Sequence, residues 1–208
     1  VTALGGSDHA RAVVAHYDER AASYDDSALH RGLTDEVARF IDLDGVRSVL
    51  DVATGTGLML RAIAARIPQD RPLLIGLDLS PAMVAVARPR LPGAGFLVGD
   101  ATEVLLPDAS FDLITCVTAL HLFEQPDAVL AEWARLLTPG GRVVTASFGA
   151  APEQVVAPPA GGFVRRHESF RTPELVADAL ASHGFRLARD TTWEHADDRL
   201  LICELVRP

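Results

Sequence analysis

Three observations in the 208-residue sequence predict an α/β fold built on an open sheet. Short apolar runs alternate with helically spaced ones from about residue 46 to residue 148, three of those runs end on an aspartate, and the first runs directly into a glycine-bearing turn. The first strand, Val49-Leu50-Asp51-Val52, continues as Ala53-Thr54-Gly55-Thr56-Gly57. Gly55 and Gly57 have no Cβ, so the backbone can turn tightly there and a ligand can lie against it. Leu58, Leu60, Ile63, Ala64 and Ile67 then recur at helical spacing until Pro68. The turn therefore lies between a buried strand and a helix N-terminus, the place where open α/β sheets bind ligands. Both phosphate-binding readings lose ground: a dinucleotide fingerprint needs glycine where Leu60 stands, and a P-loop needs a lysine in a chain that has none. Taken alone, the turn is equally a plain strand-to-helix connection.

The following elements strengthen the ligand reading. Leu73-Leu74-Ile75-Gly76-Leu77-Asp78 is a second apolar strand ending in an acid, about 20 residues further on, the spacing at which such folds place a carboxylate on ribose hydroxyls. Ser80-Pro81 opens the next helix, with Ser80 as cap and Pro81 in the first turn. A third strand, Gly95-Phe96-Leu97-Val98, leads to Gly99-Asp100-Ala101. One aspartate at a strand end is commonly a helix cap, whereas Asp51, Asp78 and Asp100 together with the glycine turn make a ligand rim.

These residues resemble the class I S-adenosylmethionine (SAM) dependent methyltransferases, and most closely the small-molecule branch that includes the ubiquinone and menaquinone biosynthesis methyltransferases. The likeness covers nearly the whole chain: Asp51 to Gly57 looks like the first motif, Gly76-Leu77-Asp78-Leu79-Ser80 the second and Gly99-Asp100-Ala101 the third. Phe111 to Cys116 resembles the fourth strand, and Leu137-Thr138-Pro139-Gly140-Gly141-Arg142-Val143 the turn into the fifth. The resemblance implies a Rossmann-like seven-stranded sheet in the order 3-2-1-4-5-7-6 with strand 7 antiparallel and helices on both faces. It implies SAM as cofactor, with S-adenosylhomocysteine as product. By the same resemblance, Asp51 and the backbone of Ala53, Gly55 and Gly57 hold the methionine part and Asp78 takes the ribose hydroxyls. Leu79 packs on adenine, Asp100 and Ala101 read the adenine edge, and Tyr17 and Tyr24 belong to a lid. One departure is visible, since the family often has glycine where Ala53 stands.

The remaining elements complete one domain over 1–208. Residues 1–42 form a helical approach segment, with a second helix from about Thr34 to Ile41, and 46–148 form the SAM-binding core. Val129, Trp133, Leu136 and Leu137 share one face of a helix over Glu124 to Leu137. A Pro- and Gly-rich stretch, 149–171, reads as a loop, and 172–208 as a helix to His183 followed by two strands around Glu194 to Asp198. Phe163, Arg165, Arg166 and His167 follow the Pro/Gly stretch, where they are in place to face a substrate, the two arginines suiting a carboxylate or phosphate; such a pair is more often a solvated turn, and no site role is assigned.

Composition narrows the function. A net charge of −9 without a basic cluster argues against nucleic-acid substrates. No apolar run approaches the roughly 20 residues of a membrane span, so the expected setting is cytoplasmic, as a monomer or homodimer. Cys116 and Cys203 sit in strand patterns and read as core thiols, and the scattered histidines lack ligand spacing, so no metal is expected. His121, after the fourth strand, is the best-placed candidate for a catalytic base, set against a plain pocket-lining role. The function expected is methyl transfer from SAM to an oxygen or carbon of a small-molecule acceptor. A SAM-binding regulatory or partner protein without transfer activity is the alternative, and a nicotinamide oxidoreductase is disfavoured by the missing third glycine.

Overall fold

The computed structural model describes residues 6–67, 72–149 and 163–207. Pro68 and most of the Pro/Gly-rich stretch, 150–162, lie outside the described residues. Seven strands, β1 (Ser48–Val52), β2 (Leu73–Asp78), β3 (Gly95–Val98), β4 (Phe111–Val117), β5 (Leu137–Phe148), β6 (Arg186–His195) and β7 (Asp198–Val206), form one sheet in the order 3-2-1-4-5-7-6. β7 runs antiparallel to β5 and β6, and the other pairings are parallel. The order reverses between β1 and β4, so the chain leaves their carboxyl ends in opposite directions and opens a crevice there.

Alternation along the central strands explains how one sheet serves two helical layers. Leu50, Ile114, Cys116, Leu201 and Cys203 pack toward α5 (Pro126–Leu136) and α6 (Pro173–Ala181). Val49, Leu113, Val144, Leu200 and Ile202 pack toward α2 (Ala28–Phe40), α3 (Leu58–Arg66) and α4 (Pro81–Arg90). Successive side chains of a strand point to opposite faces, so strands covered on both sides must be apolar at nearly every position. Asp51 and Thr115 are paired across β1 and β4 on the α2 and α3 side, and they interrupt this pattern where the site begins.

Some boundaries differ from the sequence expectation, each for a visible reason. α2 starts at Ala28 rather than Thr34, because Ser27 accepts a hydrogen bond from the His30 backbone N–H and caps it. Gly32 obscured this start; a Cβ there would lie 2.9 Å from the Trp193 ring, so glycine is required by packing despite its helix cost of about 1 kcal/mol. α5 begins at Pro126 and ends at Leu136, since Leu137 already pairs with Phe111 in β5. The last helix stops at Ala181, short of His183. The β6–β7 connection is tighter than expected, leaving Ala196 and Asp197 at its tip.

The glycine turn supplies a test of packing. Gly57 has φ +78°, and a Cβ on it would lie 3.2 Å from the Phe96 ring and 3.4 Å from Ala87 Cβ; Gly45 has φ +74° and would meet nothing within 4 Å. Alanine at either position incurs the left-handed penalty of about 1 kcal/mol, and at Gly57 crowding adds about 1–3 kcal/mol. Gly57→Ala is therefore expected to lower Tm further than Gly45→Ala, by roughly 2–4 °C per additional kcal/mol. Equal shifts in thermal denaturation would show that Phe96 yields without cost.

Candidate active site

The site is assembled at the carboxyl ends of β1, β2 and β4. After Val52 the backbone takes left-handed conformations at Ala53 (φ +56°), Gly55 (φ +54°) and Gly57 (φ +78°). Two of these are glycines, which adopt such angles freely, and Ala53 bears a strain of about 1 kcal/mol. The turn is held from β2: the Asp78 carboxylate accepts from the Gly55 N–H at 2.7 Å and from the Ser80 N–H at 2.8 Å. Leu77 C=O accepts from Thr54 N–H at 3.0 Å. Burial still raises the Asp78 carboxyl above the ordinary carboxylate range, against the pull of these donors.

Ala53, Gly55, Asp78, Leu79, Asp100 and Ala101 line one cavity of about 280 Å³, and Tyr17 and Tyr24 close over it. A Cβ on Gly55 would project toward Met83 Sδ and the Tyr24 ring at 3.9 and 4.0 Å, into this space rather than into protein. Asp100 is exposed, and one of its oxygens is engaged by Thr102 through backbone N–H (2.9 Å) and hydroxyl (2.8 Å). Gly57 does not line the cavity; it faces Phe96 and lets α3 approach the sheet. Asp51 reaches a recess of about 40 Å³ behind the turn, shared with Tyr24, His30, Ala53, Gly55 and Thr118. It is only 2% exposed and accepts from the Thr115 hydroxyl at 2.7 Å. Burial pushes its carboxyl up to about 7.

α1 (Asp8–Arg20) lines the smaller cavity through His9, Ala10, Val13 and Tyr17 and is fastened at both ends. At its start the Ser7 hydroxyl bonds Glu124 and His9 Nε2–H donates to Leu122 C=O at 2.8 Å. At its end Asp18 accepts from the Ser80 hydroxyl and from Ala82 N–H, placing a carboxylate at the N-terminus of α4. Beyond it Asp25, in the 3-10 turn Tyr24–Asp26, bonds Thr56, Arg61 and Arg90. Sequence reasoning did not find Asp18 or Asp25, because their partners lie 31 to 65 residues away and both read as ordinary surface acids.

A second cavity, of about 530 Å³, shares Tyr17, Tyr24 and Thr118 with the first. Thr118 holds φ +55°, costly for a β-branched residue, and its N–H is tied to Ala146 C=O at 2.8 Å. His121 lies in this cavity, not in the smaller one. It is 6% exposed and stacks on His167 with ring centroids 4.1 Å apart. Burial, then His167 and Arg165, pull its pKa down to about 3, so its imidazole is neutral throughout the physiological range. The two arginines separate in role: Arg165 lines the cavity, whereas Arg166 donates its backbone N–H to His121 C=O at 2.8 Å and its guanidinium to Phe123 C=O.

Among the described residues no group of three or more His, Cys, Asp or Glu side chains is placed to hold a metal ion, and no helix is long and apolar enough to cross a membrane. Cys116 and Cys203 are free and buried in β4 and β7.

Known proteins agree with this geometry. The methyltransferase-domain family matches residues 50–145, from β1 through most of β5. A demethylmenaquinone methyltransferase of Thermus thermophilus is 30% identical over 165 residues, covering 67% of this chain and 74% of that protein. A malonyl-[acyl-carrier protein] O-methyltransferase of Methylococcus capsulatus is 33% identical over 146 residues, covering 68% of this chain and 52% of that protein. The chain thus spans from about half to three quarters of the length of such relatives. In three dimensions it is similar to magnesium protoporphyrin IX methyltransferase from Synechocystis, solved with bound SAM: TM-score 0.73, 18% identity, 98% of this chain and 99% of that one covered. The methyltransferase-domain match and the Thermus thermophilus relative, with the sheet order of the fold, show that the chain belongs to the class I SAM-dependent methyltransferases and is similar to the quinone-biosynthesis branch.

Proposed function

We propose that the chain transfers the methyl group of SAM to an oxygen or carbon of a small-molecule acceptor, with the cofactor in the smaller cavity and the acceptor in the larger. The observation that carries this reading is the wall common to both cavities, Tyr17, Tyr24 and Thr118, at the carboxyl edge of the sheet. SAM, when bound, supplies a methyl carbon made electrophilic by its sulfonium. The residues of this chain need only align the acceptor, exclude water and leave the accepting atom deprotonated.

The smaller cavity fits the cofactor in chemical terms. Asp51 is a buried carboxyl with a raised pKa and no cationic partner among the described residues, which suits a ligand ammonium. Asp78 presents a second buried carboxylate to ribose hydroxyls, and the backbone at Ala53 and Gly55 offers the close approach that the amino-acid end requires. Leu79, Asp100 and Ala101 line the same cavity and are assigned to the adenine, with Tyr17 and Tyr24 as cover. Gly57 acts on the ligand through the shape of the turn. His121 is assigned the role of a neutral pocket wall, since a base with its pKa near 3 removes a proton weakly at neutral pH. The charge of −9 supports a non-nucleic-acid acceptor. The named relatives, a quinone methyltransferase and an O-methyltransferase, support carbon and oxygen acceptors alike.

Titration calorimetry with SAM and S-adenosylhomocysteine, with NAD as control, tests the cofactor. Both adenosyl ligands are expected to bind and NAD to fail; the reverse would overturn the reading. Asp78→Ala is expected to weaken SAM binding about ten-fold or more, as a hydrogen bond to a charged acceptor is worth about 1.5–3 kcal/mol, and unchanged affinity would remove Asp78 from the ribose role. Asp51 makes SAM binding pH-dependent with a defined sign. Its carboxyl is half-protonated near pH 7 in the free protein, and a cationic amino group selects the ionised form. Affinity should therefore rise with pH from 6 toward 7.5, before the ligand amine begins to lose its own proton near 8, and Asp51→Asn should flatten this rise. A wild-type affinity that falls over that interval would contradict the assignment. For His121, the turnover profile is expected to lack any limb between pH 5 and 8 that disappears in His121→Gln; finding one would make it a base.

A further inference from the structure

We propose that the larger cavity selects an acceptor bearing an anionic group, a carboxylate or phosphate, held by Arg20 and Arg165; this rests on the reading of that cavity as the acceptor site. Most arginines of the described structure are engaged, either with a carboxylate, as Arg61, Arg90 and Arg135 are, or with backbone carbonyls, as Arg66 and Arg88 are. Among the described residues Arg20, Arg165, Arg186 and Arg199 make neither kind of bond; Arg186 lies on β6 outside the cavity, and the other three line it. Arg20 lies three residues after Tyr17, on the same face of α1, and Tyr17 is the wall shared with the cofactor cavity. Arg165 comes from the segment before α6 and lines the same cavity. Its guanidinium lies 4.8 Å from the Phe163 ring centroid, and that ring packs edge-on against His16 at 5.3 Å.

The acids nearby do not cancel these two charges. Glu168 is taken by Arg171 at 2.7 Å, and Asp197 and Asp198 stand at the β6–β7 tip beside Arg199. Glu19 lies near His16 but is exposed on α1. The surplus is felt by the cavity's own groups. After burial, Arg20 and Arg165 lower the pKa of His16, and Arg165 lowers those of His121 and His167. A guanidinium fork matches carboxylate and phosphate oxygens in pairs, and two forks facing one cavity beside neutral imidazoles form a receptor for an anion. A purely apolar acceptor would leave both charges to be desolvated without a partner, which disfavours it.

The test uses imidazole NMR signals of the S-adenosylhomocysteine-loaded protein, because a bound anion cancels the positive field and must raise the His16 and His167 titration midpoints. Benzoate, phenyl phosphate and neutral benzamide are the probes. Benzoate or phenyl phosphate is expected to shift both histidines and raise their midpoints, and benzamide at equal concentration to do neither. Comparison of the two anions assigns carboxylate or phosphate. The double variant Arg20→Gln, Arg165→Gln, changed only at exposed side chains, should weaken the anion response about ten-fold or more while still binding S-adenosylhomocysteine. Silence toward both anions, an equal response to benzamide, or an undiminished response in the double variant would overturn the proposal. Failure of the wild type to bind S-adenosylhomocysteine would instead withdraw the methyltransferase reading, so the two failures are told apart in one sample.

Discussion

Asp78 holds two turns at once, and the site depends on it. Its carboxylate reaches back from β2 to the Gly55 N–H and forward to the Ser80 N–H. The first bond fixes a turn that contains three left-handed residues, one of them alanine. The second fixes the entry to α4, whose Ser80 cap in turn anchors Asp18 of α1. The glycine turn, the start of α4 and the end of α1 are therefore tied together through one acid. Each hydrogen bond to a charged acceptor contributes about 1.5–3 kcal/mol, enough to offset the strain at Ala53, yet burial still raises the Asp78 carboxyl. The free protein thus keeps an electrostatic deficit at its ligand rim.

Asp51 carries the same deficit more strongly. It sits among the apolar side chains of Val49, Leu50 and Val52, because both faces of the sheet are covered, and the Thr115 hydroxyl donates to it while no cation does among the described residues. A hydrophobic residue there would suit the core better, since unpaired buried charge is costly. Retaining an acid in such a place makes sense when a cationic ligand group completes the pair. Two under-satisfied carboxylates, one behind the turn and one beneath it, then stabilise the ligand complex relative to the free protein by the amount each was lacking.

The parts of this structure visible in sequence are those encoded by neighbours along the chain. Strand, turn and helix follow one another within Val49 to Ile67, so apolar spacing and two glycines suffice to read them. Asp78 and Asp100 were legible as strand-end acids, and the sheet order was legible only through the family resemblance, because no local pattern states which strands are neighbours. What escaped was long-range. Gly32 lies inside α2, and only the fold shows its reason, the Trp193 ring on β6. The bond of Asp78 to Gly55 joins residues 23 apart, and the Asp25 network joins residues up to 65 apart. Arg165 and Arg166 were indistinguishable as a pair; only the fold shows that one faces a cavity and the other braces the Phe123 carbonyl.

This division has a physical consequence for how the two halves of the site are specified. The cofactor cavity draws on strand ends and the turns that follow them, so changing any one residue there disturbs the sheet edge as well as the ligand. The larger cavity is made from α1, the end of β4, the end of β5, the segment before α6 and the β6–β7 tip. Backbone bonds from Arg166 N–H to His121 C=O and from Gly149 N–H to Arg199 C=O join some of these contributors, whereas the side chains of Arg20, Arg165 and Arg199 are exposed. Substituting them alters charge and shape in the acceptor space without touching the bonds of Asp78 or the pairing of Asp51 with Thr115. On the proposed assignment of the two cavities, acceptor choice can vary while cofactor binding stays constant. The chain's own preference is then written in the charges of its larger cavity, not in the glycine turn.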